Sequence, residues 1–335
     1  MSVKYAELND IFDSSSKIVL TTHVIPDGDA IGSEMALKRF LEKKYRNPQV
    51  INHSQTPGNL KFLDKDDSIR VFENDRDENE ELITDADLIV ILDTNEYSRT
   101  RSMEQSLINS DAKKICIDHH QDIKPENFNF AISDPESPST CQILYDYLIT
   151  EHPDTIDKNI SEALYTGIIT DTGSFRYPRT TEETFLSCAE LVRRGADPVG
   201  IYERVYNENS INKIRLMAKY LESFEFHFDN KVGLGMITDK DFLETEADQT
   251  DIEGFSSIMM SIKGIVMSIM LVELPHSIKI SLRSKGEVIK VNEIAKEFGG
   301  GGHINAAGAS YFKGDLSELK TKVLSVTRGY LNKII

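Results

Sequence analysis

The chain has 335 residues, 39% of them hydrophobic and 28% charged, with a formal net charge of −17. This composition excludes a disordered chain. A membrane span is excluded too, because no stretch approaches about 20 uninterrupted apolar residues. So acidic a surface repels long nucleic acid, but it leaves room for a small phosphorylated ligand held by a few arginines and metal ions.

The length predicts two domains of ordinary size, each burying its own core. The first sixteen residues are mixed polar and acidic and lack the apolar centre of a signal peptide. Cys116, Cys141 and Cys188 lie in apolar surroundings without a Cys-x-x-Cys spacing, so they read as reduced core residues of a cytoplasmic protein.

Ile18-Val19-Leu20 reads as a buried strand, and Glu34 to Lys44 carries apolar residues at helical spacing. Between them, Thr22 to Ser33 contains His23, Asp27 and Asp29 around Pro26 and Gly28. Three side chains that can ligate a metal therefore sit where a strand gives way to a helix, the place where open α/β sheets bind ligands. Taken alone, the same segment is equally an ordinary turn with Asp29 as a helix cap.

Gln49 to His53 predicts another strand, and the charge run Asn74 to Glu81 a solvated loop or helix start. Leu88 to Leu92 is continuously apolar, as expected of a central parallel strand, and stops at Asp93. Lys114 to Ile117 is a third strand, ending in Asp118-His119-His120. Three strand ends supplying acidic or imidazole groups point to one shared site.

Helices are expected over Ser139–Thr150, Ser161–Thr170, Glu182–Arg194, Val199–Glu208 and Ile211–Leu221. The second of these runs into Asp171 and stops at Gly173. An Asp at a helix C-terminus opposes the macrodipole, which a nearby metal would explain. After Phe224 short alternating runs predict strands near 225–229, 231–238, 266–273 and 277–283. Helices are expected near 252–262, 291–298 and 316–331. Gly299-Gly300-Gly301-Gly302-His303 exposes successive backbone amides, and a helix is expected just after it, a combination that can cradle an anion.

These residues resemble the DHH phosphoesterases over nearly the whole chain. The matching elements are His23, Asp27 and Asp29, the strand-end Asp93, the Asp118-His119-His120 triplet and Thr166 to Gly173. In the second domain, Ser281 to Lys285 and the glycine run resemble the associated DHHA1 domain. The subgroup most resembled is the bacterial nanoRNase and pAp phosphatase proteins.

The resemblance implies an α/β fold. It places a parallel-sheet DHH domain over 1–200, a helical linker over 201–224 and a smaller α/β DHHA1 domain over 225–335. It also implies two divalent cations. His23 and Asp27 would hold one; Asp29, His119 and Asp171 the other; Asp93 would bridge both. Asp118 would orient a ligand imidazole, and His120 would face the scissile phosphate. Asp93, His120 and Arg99 form the catalytic set, with Arg101 competing for the role of Arg99. Arg283, Ser284, Gly300, Gly301, Gly302 and His303 would bind substrate.

The carboxylate-rich ligand set with added imidazole favours Mn²⁺ over Mg²⁺. The activity implied is cleavage of oligoribonucleotides of a few residues, of 3′-phosphoadenosine 5′-phosphate (pAp), or of both. Rival readings are a phosphodiesterase of linear or cyclic dinucleotides, a single-strand exonuclease like RecJ, and a catalytically idle nucleotide sensor. Long duplex nucleic acid and membranes are excluded as partners, and a homodimer is left open.

Overall fold

The computed structural model of the chain describes residues 2–44, 46–286, 288–312 and 314–331. It divides into two compact units, Met1–Glu208 and Asn209–Ile335.

The first unit is built on six parallel strands: β1 (Ile18–Thr21), β2 (Gln49–Asn52), β3 (Ile69–Val71), β4 (Leu88–Leu92), β5 (Lys113–Asp118) and β6 (Phe130–Ser133). Their order is β3-β2-β1-β4-β5-β6. The continuous apolar run of β4 is explained by its two covered faces. Leu88, Val90 and Leu92 enter one core cluster, while Ile89 and Ile91 enter another.

The helices of this unit are α1 (Ser2–Ser14), α2 (Gly28–Lys43), α3 (Arg76–Thr84), α4 (Glu104–Asn109), α5 (Thr140–Glu151), α6 (Lys158–Asp171), α7 (Glu182–Arg193) and α8 (Pro198–Tyr202). Residues from α1, α2, α5, α6 and α7 build the larger core, and those of α3 and α4 the smaller. Helix α1 and the short edge strands β3 and β6 were not read from the sequence. Tyr5, Leu8 and Phe12 of α1 recur at helical spacing and all three are buried, a signal that was overlooked.

Three glycines set the spacing of α2 and α6. A methyl group added at Gly28 would lie 2.4 Å from Thr170 Oγ1, and one at Gly32 2.5 Å from the Ala163 carbonyl oxygen. At Gly167 it would lie 2.2 Å from Cys141 Sγ and 2.7 Å from Asp29 Oδ1. The helix backbones approach closely because nothing projects between them.

The second unit holds α9 (Ile211–Glu222), β7 (Glu225–His227), β8 (Val232–Ile237), α10 (Asp239–Thr245), α11 (Phe255–Ile258), β9 (Met267–Leu274), β10 (Ser277–Ser284), α12 (Val291–Lys296), β11 (Gly301–His303), β12 (Ala306–Tyr311) and α13 (Leu316–Leu331). Its sheet runs β11-β12-β10-β9-β8-β7 and is mixed, with β8 parallel to β9 and the other pairs antiparallel. One sheet face packs on α12 and α13. The other packs on Leu216 and Tyr220 of α9 and on Ile252, Phe255 and Met259. Of the stretch 201–224 read as a linker, residues 201–208 fall in the first unit and α9 in the core of the second.

No helix follows the glycine run, contrary to the reading above. Gly299 and Gly300 donate their amides to the carbonyls of Lys296 and Ala295 at the end of α12. Gly301–His303 then pair antiparallel with β12. Small residues after the glycines suggested helix packing, but they serve strand contact instead: a methyl at Gly300 would lie 2.0 Å from the Gly308 carbonyl oxygen.

Gly32→Ala is expected to lower unfolding stability by about 1–3 kcal/mol through overpacking. Gly58→Ala, where no atom lies within 4 Å of the added methyl, should be nearly neutral. Urea unfolding of the two variants checks this; equal stabilities would remove the steric account of the α2–α6 contact.

Candidate active site

The strand order reverses between β1 and β4, the crevice where open α/β sheets place ligands. His23 follows β1, Asp93 follows β4, and Asp118, His119 and His120 close β5. Helix α2 begins earlier than the periodicity suggested, at Gly28. Its cap is Asp27, whose Oδ1 accepts from the amides of Asp29 (3.0 Å) and Ala30 (3.1 Å). Asp29 is thereby freed from capping and lies inside the first turn, 1% exposed.

Asp93 stands at the centre, and its two carboxylate oxygens face different neighbours. Oδ2 lies 3.3 Å from His23 Nε2. Oδ1 lies 3.5 Å from His119 Nε2. His23 also lies 4.0 Å from Asp27 Oδ2. His119 lies 3.3 Å from Asp171 Oδ2 and 4.0 Å from Asp29 Oδ2. His23, Asp27 and Asp93 form one group able to hold a metal ion; Asp29, His119 and Asp171 form a second; Asp93, His119 and His120 form a third. Asp93 adopts a left-handed backbone, φ 56°, which few residues other than Gly, Asn and Asp tolerate.

The acids crowd one another. Burial, then the charges of Asp27 and Asp118, push the Asp93 carboxyl well above the usual range. Burial and the charge of Asp93 push Asp29 up to about 8. Burial, followed by Asp29, Asp27 and Asp93, raises Asp171. Burial holds His23 and His119 below the ordinary histidine value. Such a cluster of protonatable carboxylates and unprotonated imidazoles is a donor set suited to divalent cations.

The residues around this set are also fixed. The backbone amides of Thr140 and Cys141, at the start of α5, donate to Asp29 Oδ2 and Oδ1 at 2.6 and 2.9 Å. The Thr140 hydroxyl donates to Asp93 Oδ1 at 3.0 Å. Thr140 thus ties two acids together. Its only sequence signal was its place at the start of the helix expected over Ser139–Thr150, and the sequence reading gave it no role.

Asp118 does hold an imidazole, but it is that of His120. Nδ1 of His120 lies 2.7 Å from Asp118 Oδ1, and the Nδ1 of His119 instead lies 3.3 Å from the Ser137 carbonyl oxygen. Asn95 Nδ2 donates to the other oxygen of Asp118 at 2.7 Å. Burial alone would raise the Asp118 carboxyl, but the hydrogen bond from His120 and the charges of His120 and His119 together outweigh it and the value falls. Arg99 Nη1 lies 3.2 Å from His120 Nε2, whereas Arg101 is exposed, so it is Arg99 that reaches the cluster. A further buried chain was missed: Asn52 donates to Glu34 Oε2 at 2.9 Å and accepts the Thr22 amide at 3.3 Å. The Thr22 hydroxyl donates to the Leu92 carbonyl at 2.8 Å, so this chain joins the ends of β1, β2 and β4.

In the second unit, Arg283 of β10 and His303 of β11 both stand beside Ala306 of β12, on one sheet face. Gly301 and Gly302 are exposed and Gly300 half-buried. Ser284 points to the opposite face, its hydroxyl 2.7 Å from the Ile289 carbonyl oxygen and 2.9 Å from Asn305 Oδ1.

The model of the DHH family N-terminal domain matches residues 17–168, and that of the DHHA1 domain residues 234–329. The bifunctional oligoribonuclease and PAP phosphatase NrnA of Thermus thermophilus is 32% identical over 318 residues, covering 94% of this chain and 90% of that protein. The chain belongs to the DHH family. A further relative, the cyclic-di-AMP phosphodiesterase PdeA of Listeria monocytogenes, is 26% identical over 96% of this chain but only 49% of its own length. The crystal structure of an exopolyphosphatase-related protein from Bacteroides fragilis superposes with a TM-score of 0.92. It is 33% identical, with 99% of this chain and 96% of that chain covered.

The raised carboxylates make a signed prediction. Asp29 contributes stability that is fully present below its unfolded value near 3.8 and is lost as pH rises through about 8. Above pH about 7 His23 and His119 are mostly neutral in both states, so they add little slope there. The Tm of chelator-treated protein should therefore fall between pH about 7 and 8.5, and the Tm gain on adding Mn²⁺ should grow over the same interval. A gain independent of pH would show that the carboxylates do not bind the ion.

Proposed function

We propose that this protein is a metal-dependent phosphohydrolase acting on short nucleotides: oligoribonucleotides of a few residues, pAp, or both. The observation that carries the reading is the division of Asp93, one oxygen toward His23 and the other toward His119. His23, Asp27 and Asp93 would hold one divalent cation; Asp29, Asp93, His119 and Asp171 the other. Mixed carboxylate and imidazole donors favour Mn²⁺ over Mg²⁺. Two such cations, when bound, lower the pKa of an attacking water and neutralise charge developing on the phosphoryl oxygens.

The protein's own groups do the rest. Asp118, itself held by Asn95, fixes the His120 ring beside Arg99, whose guanidinium would present donors to the phosphoryl oxygens. Arg283, His303 and the glycine strand Gly300 to Gly302 would retain the part of the substrate that is not cleaved. Ser284 supports the turn after β10, its hydroxyl being engaged there. The three free cysteines are all buried, in keeping with a reducing, cytoplasmic setting. Among the described residues no helix is long and apolar enough to cross a membrane.

The likeness to NrnA over nearly the full length of both proteins supports this substrate class. A dinucleotide phosphodiesterase is the second reading, supported by the relative from Listeria. A net charge of −17 argues against a strand-tracking exonuclease, because each added phosphate meets repulsion unless a basic groove follows it.

The test is purified protein with Mn²⁺ against pAp, pApA, a cyclic dinucleotide, a 5-mer RNA and a 24-mer DNA. Turnover per end should fall as the chain lengthens; equal rates on the 5-mer and 24-mer would favour the exonuclease instead. Asp93→Ala should lower activity by several orders of magnitude while the protein stays folded by circular dichroism. Near-normal Mn²⁺-dependent activity in that variant would remove the bridging role.

A further inference from the structure

Helix α6 ends at Asp171, and the loop that follows folds back onto that end. Gly173, Ser174 and Phe175 are left-handed in succession, with φ 55°, 58° and 65°. The amides of Arg176 and Tyr177 then donate to the Thr172 carbonyl at 2.9 and 3.1 Å. The Tyr177 ring lies over Gly173, where an added methyl would meet its Cζ at 2.6 Å. The Thr180 amide donates to the Tyr177 carbonyl at 3.0 Å, which closes a tight turn with Pro178 and Arg179 at its centre. The turn therefore rests against a residue two places beyond Asp171.

Arg179 is half-buried in this turn, yet among the described residues it makes no hydrogen bond and no ion pair. The other described arginines of the first unit each have a hydrogen bond, an ion pair or an aromatic ring as partner, apart from the exposed Arg101. Beside Arg179 the Thr180 hydroxyl is buried and also lacks a hydrogen-bond partner. A guanidinium carries five donors and no acceptor, so a half-buried one calls for an anion. The buried hydroxyl calls for an acceptor at the same turn.

The acid cluster nearby indicates which anion. The charge of Arg179 is felt at Asp171, and that of Arg99 at His23 and Asp93. Two guanidinium groups thus flank the cluster, one beside each group of candidate metal donors. Asp171 has His119 as its neighbour at 3.3 Å, and Arg179 does not pair with it, so the arginine does not compete with a cation for that carboxylate. Donors that stand beside the cluster without capping its acids are free for an anion that docks on it. A phosphoryl group has oxygens enough to accept from both sides.

We propose that Arg179 is a second phosphate-contacting arginine of this site, donating to a phosphoryl oxygen of the substrate from the Asp171 side while Arg99 donates from the His120 side. This rests on the phosphohydrolase reading above and adds a binding residue to it. All the groups involved lie in the first unit.

The test uses the full-length protein and its variants Arg179→Gln and Arg179→Lys. Isothermal titration measures Mn²⁺ alone on chelator-treated protein, then AMP and adenosine on Mn²⁺-loaded protein. Arg179→Gln should weaken AMP by about tenfold and leave adenosine unchanged. Arg179→Lys should recover part of the affinity, since it keeps the charge but not the two-pronged geometry. Mn²⁺ affinity in Arg179→Gln should be unchanged or tighter, because a positive charge beside Asp171 is gone. A residue that merely braced the loop would weaken Mn²⁺ as well.

AMP binding that is absent, or untouched by Arg179→Gln, would overturn the site, as would a joint loss of Mn²⁺ and AMP. Cleavage of pAp or pApA by wild type would leave the phosphohydrolase reading standing in each of these cases. Arg179-dependent AMP binding by a wild type that cleaves no nucleotide would keep the phosphate contact and sink that reading. A wild type that neither binds AMP nor cleaves a nucleotide would sink both.

Discussion

Like charge held in a dry place is the constraint on which the first unit depends. Asp29, Asp93 and Asp171 stand in one another's field, and each has its carboxyl raised by burial first and by its neighbours second. A chain left to itself would separate them. Here the spacing of α2 and α6 at Gly28, Gly32 and Gly167 delivers Asp29 and Asp171 to the same place, and the central strand delivers Asp93. The amides at the start of α5 offset part of the repulsion at Asp29. The remainder is an opening for protons or for divalent cations, which compete for the same oxygens. The fold is thus organised to make a site that its own residues leave incomplete.

The sheet order explains why the cluster forms at β1 and β4. Where successive strands run outward in opposite directions, the loops after them diverge and leave a crevice. That crevice must be kept from collapsing into an ordinary turn. The chain from Glu34 through Asn52 and Thr22 to the Leu92 carbonyl does so by fixing three strand ends to one another. Burial raises the Glu34 carboxyl to about 8, so at neutral pH it is mostly a protonated group within the core rather than a charge.

Much of this was legible in the sequence, for identifiable reasons. Central parallel strands are apolar on both faces, so β1, β4 and β5 stood out, and an acid or imidazole at the end of each was visible at once. The periodicity of α5 and α6 showed for the same reason. What was hidden depended on contacts distant in sequence. Thr140 acquires its role only when α5 arrives beside Asp93. The glycine run was misread because glycine before small residues suits either a helix start or a strand pressed against its neighbour, and only the position of β12 decides between them. Asp118 was placed as support for an imidazole, but which of two adjacent imidazoles it grips depends on a backbone turn that sequence does not print.

Cys141 sits at the junction of these elements. Its amide donates to Asp29, its sulfur lies against the Ala163 carbonyl of α6, and it fills the space left by Gly167. Burial, then Asp29, hold the thiol well above its ordinary value, so it is inert as long as α2, α5 and α6 stay together. The rate at which an external disulfide reagent labels Cys141 is therefore a clock for the opening of the acid cluster. It runs independently of turnover, and it would slow whenever a cation draws those three helices shut.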